Sequence, residues 1–528
     1  MSSPATLLSV VCFGLQDTRL LSPRGQPDIK NYVKVLKKTT RWAAQWIRVD
    51  FDGQPNFGKR NTCTLPRKAE MLTQVTLVTT MPDIATPQIN AKKSCSQDKP
   101  FIGPTYGWTN SLGHSIINLL ELDIGGVNVD TMDGRFLEVY DELYESESAI
   151  RAKNRMINRV ANGFNSTSLG QDPANPTTSY INLPFWFSTG NYENALPIDA
   201  LSADAIQISV TLRPVNQLYY TQSRIDMRNP GFDPNRSVSG AMCPLQNGIF
   251  YRYNQNSDRR IYSTDPNTNQ TIGISGEIIP NVSMPNAFNL GDTYLLCEYI
   301  SLEEAEAVAL RSTQLEYRVD QHYIVSPQNT QYAPNVRIRL PYSNPVKELI
   351  WFAQNPIAQN YNAWFLFTRK LYGSNTNPAS WWKIPWWPDA ILTSANQSRP
   401  AFRYAYSEPI RGAQLTYSNI VRFNHQTSPS LFRSLLPILH YRKAPLFNRY
   451  IYVYPFALAP GATDDDSLGP SYNPRGLSNW DKLPKIELQL TMEPDTDGMQ
   501  QDLTIYSYVT IQNIFRVFGG RGVMLFNY

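Results

Sequence analysis

The sequence predicts an all-β chain folded as two consecutive sandwiches. Apolar residues recur with a period of two at many places, aromatic residues and prolines abound while helical patterns are few, and the chain is too long for one sandwich. Its 528 residues suit two domains of roughly 200 residues each. A hydrophobic share of 42% against 17% charged residues fills substantial cores and excludes a disordered polyelectrolyte. The 30 Tyr, 11 Trp and 39 Pro favour short strands joined by long, stiff loops.

The alternation runs the length of the chain. Ile47, Val49 and Phe51 alternate with polar residues, as do Leu120, Leu122 and Ile124, and Ile206, Ile208, Val210 and Leu212. The second half repeats the pattern at Val336–Leu340, Ile486–Leu490 and Leu503–Ile511. Each places one face on a core and the other in polar surroundings. Gly125-Gly126 between two such runs predicts a tight hairpin, because a primed two-residue turn needs positive φ. Tyr140–Val160 is charged and free of Pro and Gly, which predicts a surface helix. Ser301-Leu-Glu-Glu304 reads as a capping box ahead of a short helix over Ala305–Gln314, placed to join two strand-rich halves. Residues 214–290, rich in Asn, Pro, Ser and Gly, read as a long surface insertion, and 355–406 and 459–480 as further long loops. Gly519-Gly520-Arg521-Gly522 lacks the Lys-Ser/Thr of a phosphate loop and reads as a turn before a last strand, Val523–Phe526.

A search for chemistry returns little. His114, His322, His425 and His440 stand at no metal-ligand spacing and read as ordinary hydrogen-bonded residues. No phosphate-loop, nucleophile-elbow or zinc-protease motif occurs. Asp464-Asp-Asp466 reads as a solvated loop. The chain is therefore expected to be no enzyme and to need no cofactor, metal or other. A formal net charge of +4 over this length is close to neutral, and no basic tail is present, so direct nucleic-acid binding is not expected. Cys12, Cys63, Cys95, Cys243 and Cys297 are scattered and odd in number, which favours a reducing compartment over a disulfide scaffold. No apolar run is long enough to span a bilayer. Sequons at Asn165, Asn235, Asn269, Asn281 and Asn396 are candidate glycosylation sites. Trp381, Trp382, Trp386 and Trp387 form a candidate exposed contact patch, or a loop folded over its own aromatics.

Several blocks, in order, resemble the major capsid proteins of nucleocytoplasmic large DNA viruses. Phe57-Gly-Lys-Arg60 and Thr62–Arg67 are similar to that family's early strand. Trp108-Thr-Asn-Ser-Leu-Gly-His114, Leu120–Gly126 and Glu138-Val-Tyr-Asp-Glu-Leu143 form the most specific block. Leu183–Phe187 with Ala195–Leu201, Glu298–Glu304, Asn344–Trp351, and Ile451–Leu458 with Gly476–Asn479 follow in family order. The sequence departs from the compact members in the long 214–290 insertion, the extra sequence around 355–406 and the segment after Leu458.

The resemblance implies two eight-stranded jelly-roll β-sandwiches with long loop insertions and a short linking helix. The expected division is an N-terminal arm, 1–28; a first jelly roll, 29–302; a linking helix, 303–316; and a second jelly roll, 317–528. It further implies a homotrimer that forms a pseudo-hexagonal capsomer and tiles an icosahedral shell beside neighbouring capsomers. Minor capsid proteins, and an inner membrane beneath the shell, are the other implied partners. The implied location is the virion, with assembly in virus factories of the host cytoplasm. A minor capsid or scaffold protein of the same fold is the alternative. A carbohydrate-binding double sandwich is a remote one, which the four tryptophans suggest but which lacks recognisable paired carboxylates for hydrolysis.

Overall fold

A computed structural model describes residues 41–82, 105–159, 178–188, 194–223, 241–242, 289–356, 359, 362, 364–369, 408–441, 443–445, 449–458, 460, 476–483, 485–494 and 498–526. The chain divides into two units, Met1–Trp42 and Ala43–Tyr528. The first lies almost wholly outside the described residues.

The first half carries β1 (Trp42–Asp50), β2 (Arg60–Thr64), β3 (Met71–Thr80), β4 (Thr105–Trp108), β5 (Ile117–Ile124), β6 (Val127–Met132), β7 (Thr178–Asn182), β8 (Ile206–Leu212), β9 (Tyr219–Ser223), β10 (Ala241–Met242) and β11 (Thr293–Leu302). The second carries β12 (Leu315–Asn329), β13 (Asn335–Arg339), β14 (Pro345–Gln354), β15 (Ile410–Tyr417), β16 (Ile420–His425), β17 (Tyr452–Pro455), β18 (Ser478–Asn479), β19 (Ile486–Met492), β20 (Thr504–Phe518) and β21 (Arg521–Met524). The α-helices among the described residues are α1 (Leu112–Ile116), α2 (Gly134–Tyr144), α3 (Glu147–Met156), α4 (Glu304–Ser312) and α5 (Leu436–Tyr441).

The same topology is built twice. The first half forms one sheet in the order β1-β11-β3-β7 and another in the order β2-β8-β5-β6. The second half forms β12-β20-β14-β17 and β13-β19-β15-β16. Taking the eight sandwich strands of each half in chain order, both halves pair first-eighth-third-sixth and second-seventh-fourth-fifth. That is the connectivity of a jelly roll, so the fold is two tandem jelly rolls. Strands β4, β9 and β10 make a separate three-stranded sheet from connections of the first roll, and β18 and β21 extend the β14/β20 sheet of the second.

Local sequence accounts for most of these strands. Ile206, Ile208, Val210 and Leu212 are all buried, as are Val336 and Ile338, and Ile486, Leu488 and Leu490. The alternation delivers one face of each second-seventh-fourth-fifth sheet to a core. Gly125 and Gly126 have φ of 61° and 81° and close the β5–β6 hairpin. Residues Gly519 and Gly520 turn β20 into β21, which begins at Arg521, two residues before the expected start.

Two expectations fail locally. Ser301 does not cap a helix: β11 stays paired to β3 through Ile300 and ends at Leu302. Glu303 occupies the cap position of α4 without a side-chain hydrogen bond. Tyr140–Val160 is not one helix, and only its second part, α3, is a surface helix. It breaks after Tyr144, Ser146 caps α3 by accepting from the Ala149 amide, and α2 is buried from Gly134 to Leu143.

Successive strands of a jelly roll run in opposite directions, so connections after the first, third, fifth and seventh strands emerge at one end. The connection holding most of 214–290 follows the seventh strand of the first roll, and that holding 355–406 follows the third strand of the second. Most of both insertions lies outside the described residues, although Trp364–Phe367 of the latter is buried.

Candidate functional site

Domains on one chain move against each other by default unless their interface is large and well packed. The seam between the two rolls is built from the connection after β6, and it is packed with charge. Asp133 follows β6 and caps α2, accepting from the Phe136 amide at 2.7 Å. The same carboxylate accepts the Tyr508 hydroxyl of β20, at 3.0 Å to each oxygen. Gly134 follows because nothing larger fits: a Cβ there would stand 2.2 Å from the His114 carbonyl oxygen and 2.6 Å from that of Ile117.

Helix α2 then carries Glu138 and Asp141 into the interior. One Glu138 oxygen accepts from Ser111 at 3.1 Å and forms an ion pair with Arg449 at 3.0 Å. The other receives Arg159 at 2.5 Å and lies 2.9 Å from His114 Nδ1. Asp141 pairs with Lys153 at 2.6 Å and Arg159 at 2.9 Å. Burial opposes ionisation of both carboxyls. The guanidiniums of Arg159 and Arg449 outweigh it at Glu138, and Lys153, His114 and Arg159 do so at Asp141, so both are held below the usual carboxylate range. Such a cluster is tolerable only because each charge is paired.

Arg449 belongs to the second roll, so the Glu138 cluster crosses the seam. Lys443 crosses it too, donating to the Asp141 and Glu145 carbonyls at 2.9 and 3.0 Å. These are carbonyls at the C-terminal end of α2, where a cation also meets the negative end of the helix dipole. Tyr144 and Tyr441 both donate to Glu348 of β14, which also accepts from Thr510 at 2.8 Å. Burial and the Glu348 carboxylate push both phenols well above their ordinary range, so they remain donors.

Beside the helix, β6 packs against β12. Asp130 accepts the His322 amide at 2.9 Å and lies 3.2 Å from its Nδ1. Gln321 donates to the Val129 carbonyl at 2.6 Å. Burial works against a charged His322, but the carboxylate of Asp130 outweighs it and raises the imidazole above its ordinary value. The outer face of β20 is covered as well, so Leu503–Ile511 does not alternate: residues Ile505–Ile511 are all buried. At the other end of the first roll, Asp204 accepts the Gly522 amide at 2.8 Å and Ala203 donates to the Gly520 carbonyl at 2.9 Å.

The candidate sites read from the sequence fall elsewhere. Asn165, Asn235, Asn269, Asn281, Asn396, Trp381, Trp382, Trp386 and Trp387 all lie outside the described residues, as does Asp464–Asp466. Among the described residues no group of three His, Cys, Asp or Glu is placed to hold a metal. Cys63 and Cys297 are buried free thiols, and burial pushes Cys63 up to about 12. What the sequence reading missed is the seam. One signal stood in view: the blocks Trp108–His114 and Glu138–Leu143 meet in it through His114 and Glu138.

Two family models match the chain: "Major capsid protein N-terminus" over residues 31–238 and "Large eukaryotic DNA virus major capsid protein" over 306–523. The chain belongs to the double jelly-roll major capsid proteins of nucleocytoplasmic large DNA viruses. Its two matched segments correspond to the two rolls, and the family's role is structural, in the virion capsid. The major capsid protein of Phaeocystis pouchetii virus is 21% identical over 555 residues, covering 99% of each chain. Capsid protein 1 of Acanthamoeba polyphaga mimivirus is 28% identical over 219 residues, 40% of this chain and 35% of that one. Among solved structures, PBCV-1 VP54 superposes with a TM-score of 0.62 at 17% identity, covering 94% of this chain and 100% of that one. The Faustovirus major capsid protein gives 0.57 at 9% identity, covering 93% of each.

Proposed function

We propose that this major capsid protein works as a homotrimer whose six jelly rolls form a pseudo-hexagonal tile of an icosahedral shell. The observation that carries the reading is the repeated strand order. A chain that presents two like rolls needs only three copies to present six. The fixed seam supports it, because tiles that share edges must hold their shape, and a buried network of ion pairs and hydrogen bonds favours one arrangement. A near-neutral chain also lets like subunits pack side by side without strong repulsion.

In this reading 29–302 and 317–528 are the two rolls, joined by 303–316, and 1–28 is an arm on the inner side. Minor capsid proteins and an inner membrane are its neighbours there, and assembly takes place in the host cytoplasm. Most of the insertions 214–290 and 355–406, with the Trp381–Trp387 run, forms outward projections that carry the sequons at Asn235, Asn269, Asn281 and Asn396. The test is the mass of the purified protein in solution. Light scattering at micromolar concentration is expected to give about 180 kDa, three times the 60.0 kDa of the chain; a monomer only would refute it. Deleting 224–288 is expected to leave a soluble trimer, since long surface insertions cost little in loop closure.

A further inference from the structure

One part of the seam departs from the pairing that holds Glu138 and Asp141. It lies where the two long insertions leave the rolls. Arg213 directly follows β8, at the start of the first roll's insertion, and Arg135 sits in the first turn of α2. Both are buried, Arg213 to 3% exposure. Trp364, from the insertion of the second roll, is buried with them. The guanidinium carbon of Arg213 stands 4.0 Å from the centroid of its indole ring, and that of Arg135 5.3 Å. Arg135 also lies over Tyr506 of β20 at 4.3 Å and donates to Gln354 at 3.4 Å.

Stacking covers the face of a guanidinium and leaves its edge. The Nε and Nη2 atoms of Arg213 are buried without a hydrogen-bond partner, as is Nε of Arg135. Nε–H and one hydrogen of Nη2 point the same way, and together they make the fork with which arginine holds an anion through two bonds. The carboxylate that bears on Arg213 is Asp133, whose oxygens already accept the Phe136 amide and the Tyr508 hydroxyl. Among the described residues two cations here thus answer to one carboxylate. Burial, and then the Arg135 charge, lower the Arg213 guanidinium to about 9. Arg159 is buried as deeply, yet Glu138 and Asp141 raise it.

We propose that Arg213, with Arg135 beside it, binds a small singly charged inorganic anion of the chloride class on its Nε and Nη2 hydrogens. The excess of one positive charge sets the sign and the charge of the ion. Its size follows from burial: the fork is shut off from solvent, which favours an ion that sheds its water readily over a strongly hydrated dianion such as sulfate. A buried cation without a counter-charge is costly, and the anion removes that cost. The site is held in advance. The Arg213 amide donates to the Ile116 carbonyl at 2.8 Å, its own carbonyl accepts the Gly58 amide at 3.3 Å, and Trp364 Nε1 donates to the Gln217 carbonyl at 2.8 Å. Both arginines belong to the first roll and Trp364 to the second, so the ion stabilises the seam at the base of both insertions. The inference does not depend on the trimer reading.

The test is urea unfolding of the full chain in sodium chloride and in sodium gluconate, at one protein concentration and equal ionic strength, so that general screening is the same in both. Once chloride exceeds its dissociation constant, each tenfold rise in its concentration is expected to raise the folded-to-unfolded ratio about tenfold over gluconate. Arg213→Lys keeps a charge without the fork and Arg213→Gln removes both; each is expected to lose this gain. No gain in the wild type, or a gain that the folded variants retain, overturns the inference and leaves the arginines satisfied by stacking alone. A second measurement needs no variant. Wild-type crystals grown in bromide are expected to show an anomalous peak within hydrogen-bond reach of Arg213 Nε and Nη2. No peak there overturns the inference, and a peak without the chloride gain means an adventitious ion only and overturns it too.

Discussion

Replacing Glu138 by Gln tests whether buried charge holds the seam. The substitution keeps shape and volume but removes the one negative charge on which Arg159, Arg449 and His114 converge. One acceptor oxygen becomes an NH2 group, which must face a guanidinium donor or Ser111. Breaking a buried pair in this way costs about 3–5 kcal/mol, because the leftover cations stay buried. Glu316→Gln is the control: its pair with Arg516, at 2.8 Å, is 45% and 43% exposed, and exposed pairs contribute at most about 1 kcal/mol. Urea midpoints of wild type and both variants, measured at one protein concentration because assembly couples to stability, give the comparison. The Glu138 and Asp141 carboxyls lie below their ordinary values in the folded chain. Their contribution is therefore present above about pH 4 and lost as pH falls through the folded values. The gap between wild type and Glu138→Gln should narrow on acidification. A Glu138→Gln shift no larger than that of Glu316→Gln would refute the reasoning.

Gly134→Ala should cost about 3 kcal/mol or more, since its Cβ collides with two backbone carbonyls that cannot move without shifting α1. Gly53→Ala, with nothing within 4 Å, should leave the thermal midpoint nearly unchanged. Lys443→Met removes two bonds to carbonyls at the end of α2 and should cost about 1–3 kcal/mol, with faster amide hydrogen exchange across the seam as the readout. His322 has a folded pKa above its ordinary value, so its pairing with Asp130 stabilises fully below about pH 6.5 and is lost as pH rises through the folded value. The urea-midpoint difference between wild type and His322→Gln should accordingly be larger at about pH 6 than at strongly alkaline pH.

The legible part of the fold is the part encoded over a few residues. Ile206–Leu212 and Ile486–Leu490 alternate because each has one core face, and that pattern survives in any single sequence. The Gly125-Gly126 turn was legible because few other residue pairs adopt its backbone so readily. The ordered blocks extended this to a family. The seam was not legible as a site. Charged Glu138 and Asp141 read as solvated in isolation, since an unpaired buried charge is prohibitive. Only Lys443 and Arg449 complete their surroundings, and Lys443 lies 302 residues beyond Asp141 in the chain.

The sequence alone determined that this is a strand-rich chain in two parts with a capsid family's motifs, because periodicity and turn chemistry are local. The tertiary structure alone decided which strands are covered twice. Strand β12 over Val319–His322 and β20 over Ile505–Ile511 lose both faces to protein, while β1 over Trp42–Trp46 and β16 over Ile420–Arg422 stay exposed. A strand's own pattern reports at most whether its faces differ. Whether the second face meets water, the other roll or another copy depends on docking between distant segments, and no local pattern records that.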